Sequence, residues 1–234
     1  MPGRRFFFAL CSNRAVRISP RSALTRAALL AAALLCLQAC SSTLQVYSAP
    51  EHETRSLTQA SLRDDGIAFL TPSTITGQEE DKQTLAYLFA TTLKARRPDV
   101  RTLPLSETIG AVNRAGLAEL YRSMYRDYRD TAVFDVSLLR RVAQAAGVRY
   151  LAQLKLSQMQ QGARGRLGLL GLSILNTQYA SIRLSLQVWD SRDGSIAWEG
   201  IDEVTMAMDT GLEQPMPFRS VAERAAQDLV ARLP

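Results

Sequence analysis

Strict alternation of apolar and polar residues in the C-terminal half constrains the fold of this chain more than any other feature. A period of two places the apolar members on one face of a β-strand. These members are Ala180, Ile182, Leu184, Leu186 and Val188. The segment Arg192-Asp193-Gly194 that follows is typical of a three-residue hairpin loop with glycine in the left-handed conformation. Pairing Val188 with Trp198 keeps the apolar faces in register, so the sequence predicts an antiparallel hairpin. The same register sets Asp190 opposite Ile196.

The rest of the chain shows helical and strand periods in turn. Helices are indicated where apolar residues recur every three to four positions between capping signals, and strands where short apolar runs lie between turn residues. The predicted elements are a strand at 66–71, a helix at 78–96, a strand at 100–103, two helices within 105–128, a helix from the N-cap Asp135 to Gly147, a strand at 152–156, the hairpin, and a helix at 218–233. This order predicts one α/β domain over 64–234, with a single mixed β-sheet of about five strands and helices packed on it.

The N-terminal segment differs in composition from everything after it. Residues 27–37 are apolar, arginines precede them, and no acidic residue occurs before Glu51. Such a stretch is too short to cross a bilayer as a helix, which takes ~20 residues, and it is typical of the core of a signal peptide. The sequence therefore predicts a signal peptide over 1–39. Polar residues follow, so 40–63 is predicted to be a flexible tether that begins at the new N-terminus.

The end of the apolar stretch, Leu37-Gln38-Ala39-Cys40, resembles the bacterial lipobox. The resemblance implies cleavage between Ala39 and Cys40 and a lipid on Cys40, which would anchor the protein to a membrane without a transmembrane helix. Ser41 and Ser42, rather than Asp, imply the outer membrane, with the domain facing the periplasm. Two other interpretations stay open. The segment, rich in Arg and Ser, also suits a mitochondrial transit peptide, and a plain secretory signal would leave Cys40 incidental.

The positive charge of the chain belongs to its N-terminal segment. The whole chain carries +6, from 28 basic and 22 acidic residues. Six of the basic residues and none of the acidic ones lie in 1–39, so the remainder is formally neutral. A nucleic-acid interface needs a basic face, so no nucleic-acid partner is expected. Because Cys11, Cys36 and Cys40 are the only cysteines, the domain can form no intramolecular disulfide and no thiolate metal site.

The sequence offers little for catalysis. His52 is the only histidine and lies in the predicted tether, where it could not be held beside a nucleophile. Asp64 and Asp65 are explained by a turn, Glu79 to Asp81 by the first turn of a helix, and Asp193 by the hairpin loop. We therefore predict no catalytic residue, no metal and no cofactor. A small envelope hydrolase that uses carboxylates is the alternative from another class.

Two further patterns have both a functional and a structural interpretation. Gly162, Gly165, Gly168 and Gly171 with nearby arginines could form a phosphate-binding loop, but their spacing matches neither the dinucleotide motif nor the P-loop. Tyrosines and arginines alternate over 121–129 and could bind a glycan or an anionic head group. Asp127 and Asp130 dilute that charge, which favours a solvated amphipathic helix.

Apolar residues are concentrated in what the pattern predicts to be a connection between strands. Loops normally face water, so exposed leucines there would mark a contact surface. The candidate residues are Leu167, Leu169, Leu170, Leu172, Ile174 and Leu175. The alternative is that the segment folds back over the sheet as a short helix. As a contact surface it would bind envelope proteins, a second copy of the chain or the membrane.

Three segments together resemble a known class of domain. They are the strand at 67–72, the segment 147–151, and the hairpin at 188–199 with its Asp, turn, Gly and Trp. They resemble envelope lipoproteins with a TolB N-terminal-like or CsgG-like α/β domain. The resemblance implies a non-catalytic role in envelope assembly, secretion or scaffolding, through oligomers or partner proteins. The alternative is an oligomeric secretion-pore subunit of CsgG type. Such pores carry long amphipathic strand pairs, and the sequence shows only a short insert at 162–177.

Overall fold

The computed structural model describes residues 44–169, 172–210 and 215–234, and for 166–169, 172–175 and 210 it describes the course of the backbone alone. The predicted signal peptide over 1–39, its cleavage after Ala39 and the lipidation of Cys40 lie outside the described residues. They remain predictions from the sequence.

The described residues form one mixed β-sheet. Its strands are β1 (Leu44–Ser48), β2 (Glu51–Thr54), β3 (Ile67–Phe69), β4 (Ser73–Thr74), β5 (Thr102–Leu103), β6 (Tyr150–Leu169), β7 (Leu172–Asp190) and β8 (Ile196–Thr210). The order across the sheet is β1-β8-β7-β6-β3-β5, with β2 also paired to β8 and β4 to β6. Pairs among β3, β4, β5 and β6 are parallel, and the others are antiparallel. The predicted mixed sheet is confirmed, but it has eight strands and not about five.

The helices lie where the sequence predicted them, with one addition. They are α1 (Gln59–Asp65), α2 (Glu79–Arg96), α3 (Leu105–Arg114), α4 (Ala118–Thr131), α5 (Val136–Ala146) and α6 (Phe218–Val230). The addition is α1. Asp135 caps α5 as predicted, because its side chain accepts hydrogen bonds from the backbone N–H groups of Ser137 and Leu138. Gly147 ends the same helix in the left-handed conformation, with φ of 68°.

Helices cover both faces of the sheet and bury a core on each. Tyr150 and Val188 belong to the core under α2 and α6. Their neighbours Leu151 and Trp189 belong to the core under α3, α4 and α5. Since successive side chains of a strand point to opposite faces, the same two strands serve both cores. This layered arrangement agrees with the predicted fold class.

The first strands of the described chain differ from the predicted tether. Leu44–Ser48 and Glu51–Thr54 pair with β8 along its outer edge. His52 is therefore a strand residue, and its ring stacks on that of Trp198 with centroids 6.2 Å apart. Sequence analysis missed these strands because they are short and their side chains are largely exposed, so neither strand presents a sustained apolar face. Only the pairing with β8, remote in sequence, makes them strands.

The predicted hairpin is confirmed in its first pair and shifted in the next. Val188 pairs with Trp198 as predicted. A β-bulge follows, and Ile196 pairs with Trp189 in place of Asp190. At this bulge the carboxylate of Asp190 accepts hydrogen bonds from the backbone N–H of Arg192 and from the guanidinium of Arg149. These bonds accompany the shift in register.

Candidate contact site on the hairpin arm

The three longest strands continue beyond the helices as an arm. We define the arm as residues 157–169 of β6, 172–183 of β7 and 203–210 of β8, with β1 alongside. On the face that carries α4, the outermost helix contacts are those of Tyr125 with Gln153 and of Tyr128 with Gln187. All of the arm lies further along the strands than these two glutamines. Among the described residues, the arm is therefore a sheet with one face free of helices.

The predicted contact residues lie at the end of this arm. Leu167 pairs with Leu175, and Leu169 with Leu172, so the segment is part of a strand pair. The predictions of a connecting loop, or of a short helix folded over the sheet, are wrong for this backbone. Ile174 also belongs to β7, while Leu170 lies outside the described residues. The strand pair that the sequence did not reveal is long, since β6 has 20 residues and β7 has 19.

Glycines hid the outer part of β6 from sequence analysis. Glycine weakens a strand signal because it brings no side chain to pack. At Gly162 the ring of Tyr179 on the neighbouring strand fills the space that a side chain would occupy. The hydroxyl oxygen of Tyr179 would lie 2.7 Å from a Cβ added at Gly162. The guanidinium of Arg164 lies 5.6 Å from the centre of the same ring. Since Gly162, Gly165 and Gly168 are strand residues, the segment does not form the phosphate-binding loop that was considered.

The helix-free face of the arm is polar. Arg183 and Glu203 form an ion pair across β7 and β8 at 3.0 Å, and both side chains are about half exposed. Further along, the Thr205 hydroxyl donates to Ser181 Oγ at 2.9 Å. These pairs stabilise the sheet only modestly. They make its surface polar, and they leave that surface exposed. The face can therefore meet water or another protein.

The aromatic and basic run over 121–129 is divided between core and solvent. Tyr121, Tyr125 and Tyr128 of α4 turn towards the sheet, and the arginines between them are partly or fully exposed. Tyr125 donates to Gln153 Oε1 at 3.0 Å. Burial raises the pKa of both Tyr121 and Tyr125, so both stay protonated at neutral pH. The tyrosines fix α4 to the sheet, which fits the amphipathic-helix interpretation.

One carboxylate cluster ties the base of the sheet together. Arg149 donates to Asp190 at 2.6 Å and to Asp65 at 2.9 Å, and these hydrogen bonds raise the pKa of Arg149. The Asp190 side chain is only 5% exposed. Both carboxylates bind the guanidinium of Arg149, so the cluster is a structural set of ion pairs.

A second cluster was not predicted. Ser48 at the end of β1 places its Oγ 2.7 Å from Asp228 Oδ2 and 3.1 Å from Asp202 Oδ1. Asp202 is fully buried, and burial followed by the charge of Asp228 raises its pKa. One hydroxyl proton can serve only one carboxylate at a time, and the backbone N–H of Ala49 also donates to Asp202 Oδ1, at 3.2 Å. The signal in the sequence is an aspartate on the apolar face of β8, between Gly200 and Val204.

Two surface cavities each offer one carboxylate, whereas acid and base catalysis by carboxylates takes two. A groove of about 780 Å³ between α2, α3 and α6 is lined by Tyr87, Ile109 and Arg219, with Glu79 as its one carboxylate. A second of about 610 Å³ also has one carboxylate, Glu107. Acid and base catalysis on a glycoside would need two facing carboxyl groups. Within the described ranges there is also no group of three or more His, Cys, Asp or Glu residues that could hold a metal ion.

None of the helices in the described part of the chain is long and apolar enough to cross a membrane.

Comparison with known proteins gives a partial likeness of fold. No family model matches the chain, and no curated protein matches it. The solved structures with a similar fold include a PelC dodecamer from Paraburkholderia phytofirmans, with 12% identity and a TM-score of 0.46 over 80% of this chain and 97% of that one. They also include the lipoprotein GNA1162 from Neisseria meningitidis, with 11% identity and a TM-score of 0.39 over 71% of this chain and 97% of that one. At these scores the likeness carries no argument about function.

Proposed function

We propose that this chain is a lipid-anchored, non-catalytic component of the bacterial outer membrane that faces the periplasm. It acts in envelope assembly, secretion or scaffolding through protein contacts. The anchor is the lipid on Cys40, and the contacts are made by the arm. The observation that carries the proposal is the arm itself, a long strand pair with an apolar end and one face free of helices. An apolar segment at the end of such an extension is a candidate contact surface.

The position of β1 supports the anchor. Leu44 follows Cys40 by four positions, so the chain enters the sheet within ~14 Å of the lipid at full extension. β1 is held along β8 over its whole length. A lipid on Cys40 would therefore keep the arm close to the membrane surface, because no long tether separates them.

The two alternatives differ in what supports them. The carboxylate hydrolase finds little support, since each of the two larger cavities has a single carboxylate. The CsgG-type secretion subunit has one observation in its favour. The shortness of the 162–177 insert spoke against it, but the strand pair continues from that insert through Gln158 and Arg183 towards the core.

The anchor is tested by expressing the whole chain in a Gram-negative host and replacing one cysteine at a time. Cys40→Ser should shift the protein from the detergent-soluble membrane fraction to the soluble or unprocessed form. Cys36→Ser is the matched control, because it lies in the segment predicted to be removed, and it should remain anchored. Mass spectrometry of the N-terminal peptide should show acylated Cys40. Retention of Cys40→Ser in the membrane, with the same mature N-terminus, would refute the anchor.

The contact role of the arm is tested by charging its end. Leu169→Glu with Leu170→Glu should leave the circular dichroism spectrum and the thermal midpoint unchanged, while proteins that co-purify with wild type are lost. Val133→Glu is the control, since this apolar side chain is 59% exposed and lies in the loop between α4 and α5, away from the arm. Unfolding of the arm variant would indicate instead that the end of the arm is part of a core.

A further inference from the structure

Within the part of the chain that the structure describes, the sheet of the arm has two edges without a strand partner. At one edge, β1 pairs with β8 alone. At the other, β6 pairs with β3 as far as Ala152 and with β4 as far as Leu156. From Ser157 onward its outer side has no neighbour among the described residues. Each edge therefore presents backbone N–H and C=O groups that another strand could pair with.

The two free edges lie at the same level of the arm. Leu44 pairs with Met208, which pairs with Gln178, which pairs with Ala163. Ser48 is connected through β8 and β7 to Met159 in the same way. All of β1 thus lies level with the free part of β6. Below this level the outer sides of the sheet are occupied by β2 on one side and by β3 and β4 on the other.

The strand directions at the edges complement each other. The pairs β6–β7, β7–β8 and β8–β1 are all antiparallel. Therefore β6 runs towards the end of the arm and β1 runs away from it. When two copies stand side by side with their arms pointing the same way, β6 of one meets β1 of the other in antiparallel orientation. The ladder continues across the boundary with no strand reversed.

Along their regular parts, both edges carry little of the usual protection against pairing. Natural free edges are guarded by charged residues, prolines, bulges or very short strands. β1 contains no charge and no proline, and its Leu44, Val46 and Tyr47 are 52%, 41% and 65% exposed. Over 157–165, β6 contains no proline and one charged residue, Arg164. Its regular part, 158–165, lies between two β-bulges that bound it.

We propose that β1 of one copy of this chain pairs with β6 of the next, so that a second copy is the partner of the arm. The contact is heterologous, because different surfaces meet, and such contacts leave one edge free at each end unless the copies close into a ring. An assembly of finite size with no free edge therefore requires a closed ring of copies, with all arms pointing the same way. This inference rests on the proposed function only in taking protein contacts as the role of the arm.

Disulfide cross-linking between two tagged forms of the full chain tests the proposal. One form carries Gln45→Cys in β1, and the other carries a single cysteine at successive positions of β6. After Cys40 the natural chain has no cysteine, so wild type gives the background. Facing residues of adjacent strands bring their Cβ atoms within disulfide range, whereas the Cβ atoms of residues on opposite faces point apart.

The yield of mixed dimer should alternate with a period of two along β6, whatever the register between the two copies. Gln45 is on the same face as Ala207, Tyr179 and Gly162, because these residues pair in one row. Mixed dimers should therefore form with cysteine at Gln158, Gln160, Gly162 or Arg164, according to the register. They should be several-fold weaker at Met159, Gln161 and Ala163, which point to the other face.

Three outcomes would overturn the proposal in a protein with a wild-type circular dichroism spectrum. They are no mixed dimer at any position, equal yields on both faces, and cross-linking of Gln45→Cys only to itself. The anchor is read separately, by fractionation of Cys40→Ser. A periodic cross-link pattern with a failed anchor test removes the lipoprotein proposal alone, and an intact anchor without cross-links removes edge pairing alone.

Discussion

Ser48 and Asp228 are 180 positions apart in the chain, yet Oγ of Ser48 lies 2.7 Å from Oδ2 of Asp228. The contact joins the end of β1 to α6 above the buried carboxyl of Asp202. The backbone N–H of Ala49 also donates to Asp202, at 3.2 Å. This cluster therefore fixes the strand that forms one free edge of the arm.

The cluster should make stability depend on pH. Burial, and then the charge of Asp228, raises the pKa of Asp202 above its ordinary value of 3.8, while Ser48, Ala49 and Arg224 oppose the shift. At a pH between 3.8 and the raised pKa, folded Asp202 keeps a proton that the unfolded chain has lost. The stability that this proton contributes is present below pH 3.8 and falls as pH rises through the raised pKa.

Asp202→Asn should remove that dependence, because asparagine is neutral at every pH. The urea midpoint of wild type should fall from pH 4 towards neutrality by more than that of the variant. Glu80→Gln, on the exposed first turn of α2, is the control and should follow wild type. Parallel pH profiles for wild type and Asp202→Asn would show that Asp202 is not the group responsible.

Two glycines of the sheet should respond differently to the same substitution. A Cβ on Gly200 would lie 2.5 Å from the Trp198 ring and 3.0 Å from Leu229, both fully buried. Gly200→Ala should therefore cost about 2 kcal/mol of unfolding free energy through overpacking. At Gly162 the close atoms belong to the ring of Tyr179 on the surface of the arm, which can rotate away. Gly162→Ala should cost less than about 1 kcal/mol. Equal losses in urea titrations would contradict this difference.

The ion pair at the base should be essential for stability. Arg149→Ala leaves Asp190, whose side chain is 5% exposed, without its guanidinium. Removing one partner of a buried pair costs about 3 kcal/mol, because the remaining charge stays desolvated. Arg63→Ala, which breaks the exposed pair with Asp64, should leave the urea midpoint unchanged. A small loss for Arg149→Ala would indicate that water reaches Asp190.

The hydrogen bond between Tyr125 and Gln153 should contribute more than its neighbour. Gln153 is 1% exposed, and Tyr125 donates to its Oε1 at 3.0 Å. Tyr125→Phe leaves that acceptor without this donor and should cost about 1–2 kcal/mol. The bond from Tyr128 to Gln187 is longer, at 3.4 Å, so Tyr128→Phe should cost less. The reverse order in thermal unfolding would show that α4 is held mainly by the second contact.

Local patterns predicted the helices and the centre of the sheet. The helical period, the cap at Asp135 and the alternation over 180–188 each follow from neighbours in sequence, and the structure places all of them as expected. The parallel strand β3 was predicted from a short apolar run at 66–71. These signals are local because the burying face of an element repeats within the element itself.

The edges of the sheet could not be predicted in the same way. β1 and β2 are strands only because β8 lies beside them, and Leu44 pairs with a residue 164 positions later, Met208. The outer part of β6 contains Gly162 and Gly165, which break the alternation. Asp202 is buried by contacts from β1 and α6, neither of which is near it in sequence. The edges that carry the proposed contact are therefore the part of the fold that only pairing over long distances reveals.

Native mass spectrometry of the whole protein, extracted from its membrane in mild detergent, tests the central claim most directly. We expect chains that begin at an acylated Cys40 and form a closed oligomer with a defined number of subunits. Gln45→Lys combined with Gln160→Lys should weaken that oligomer without unfolding, because it puts like charges on the same face of neighbouring strands. A single chain without lipid and without any partner, from cells in which the protein is folded, would contradict both the anchor and the contact role of the arm.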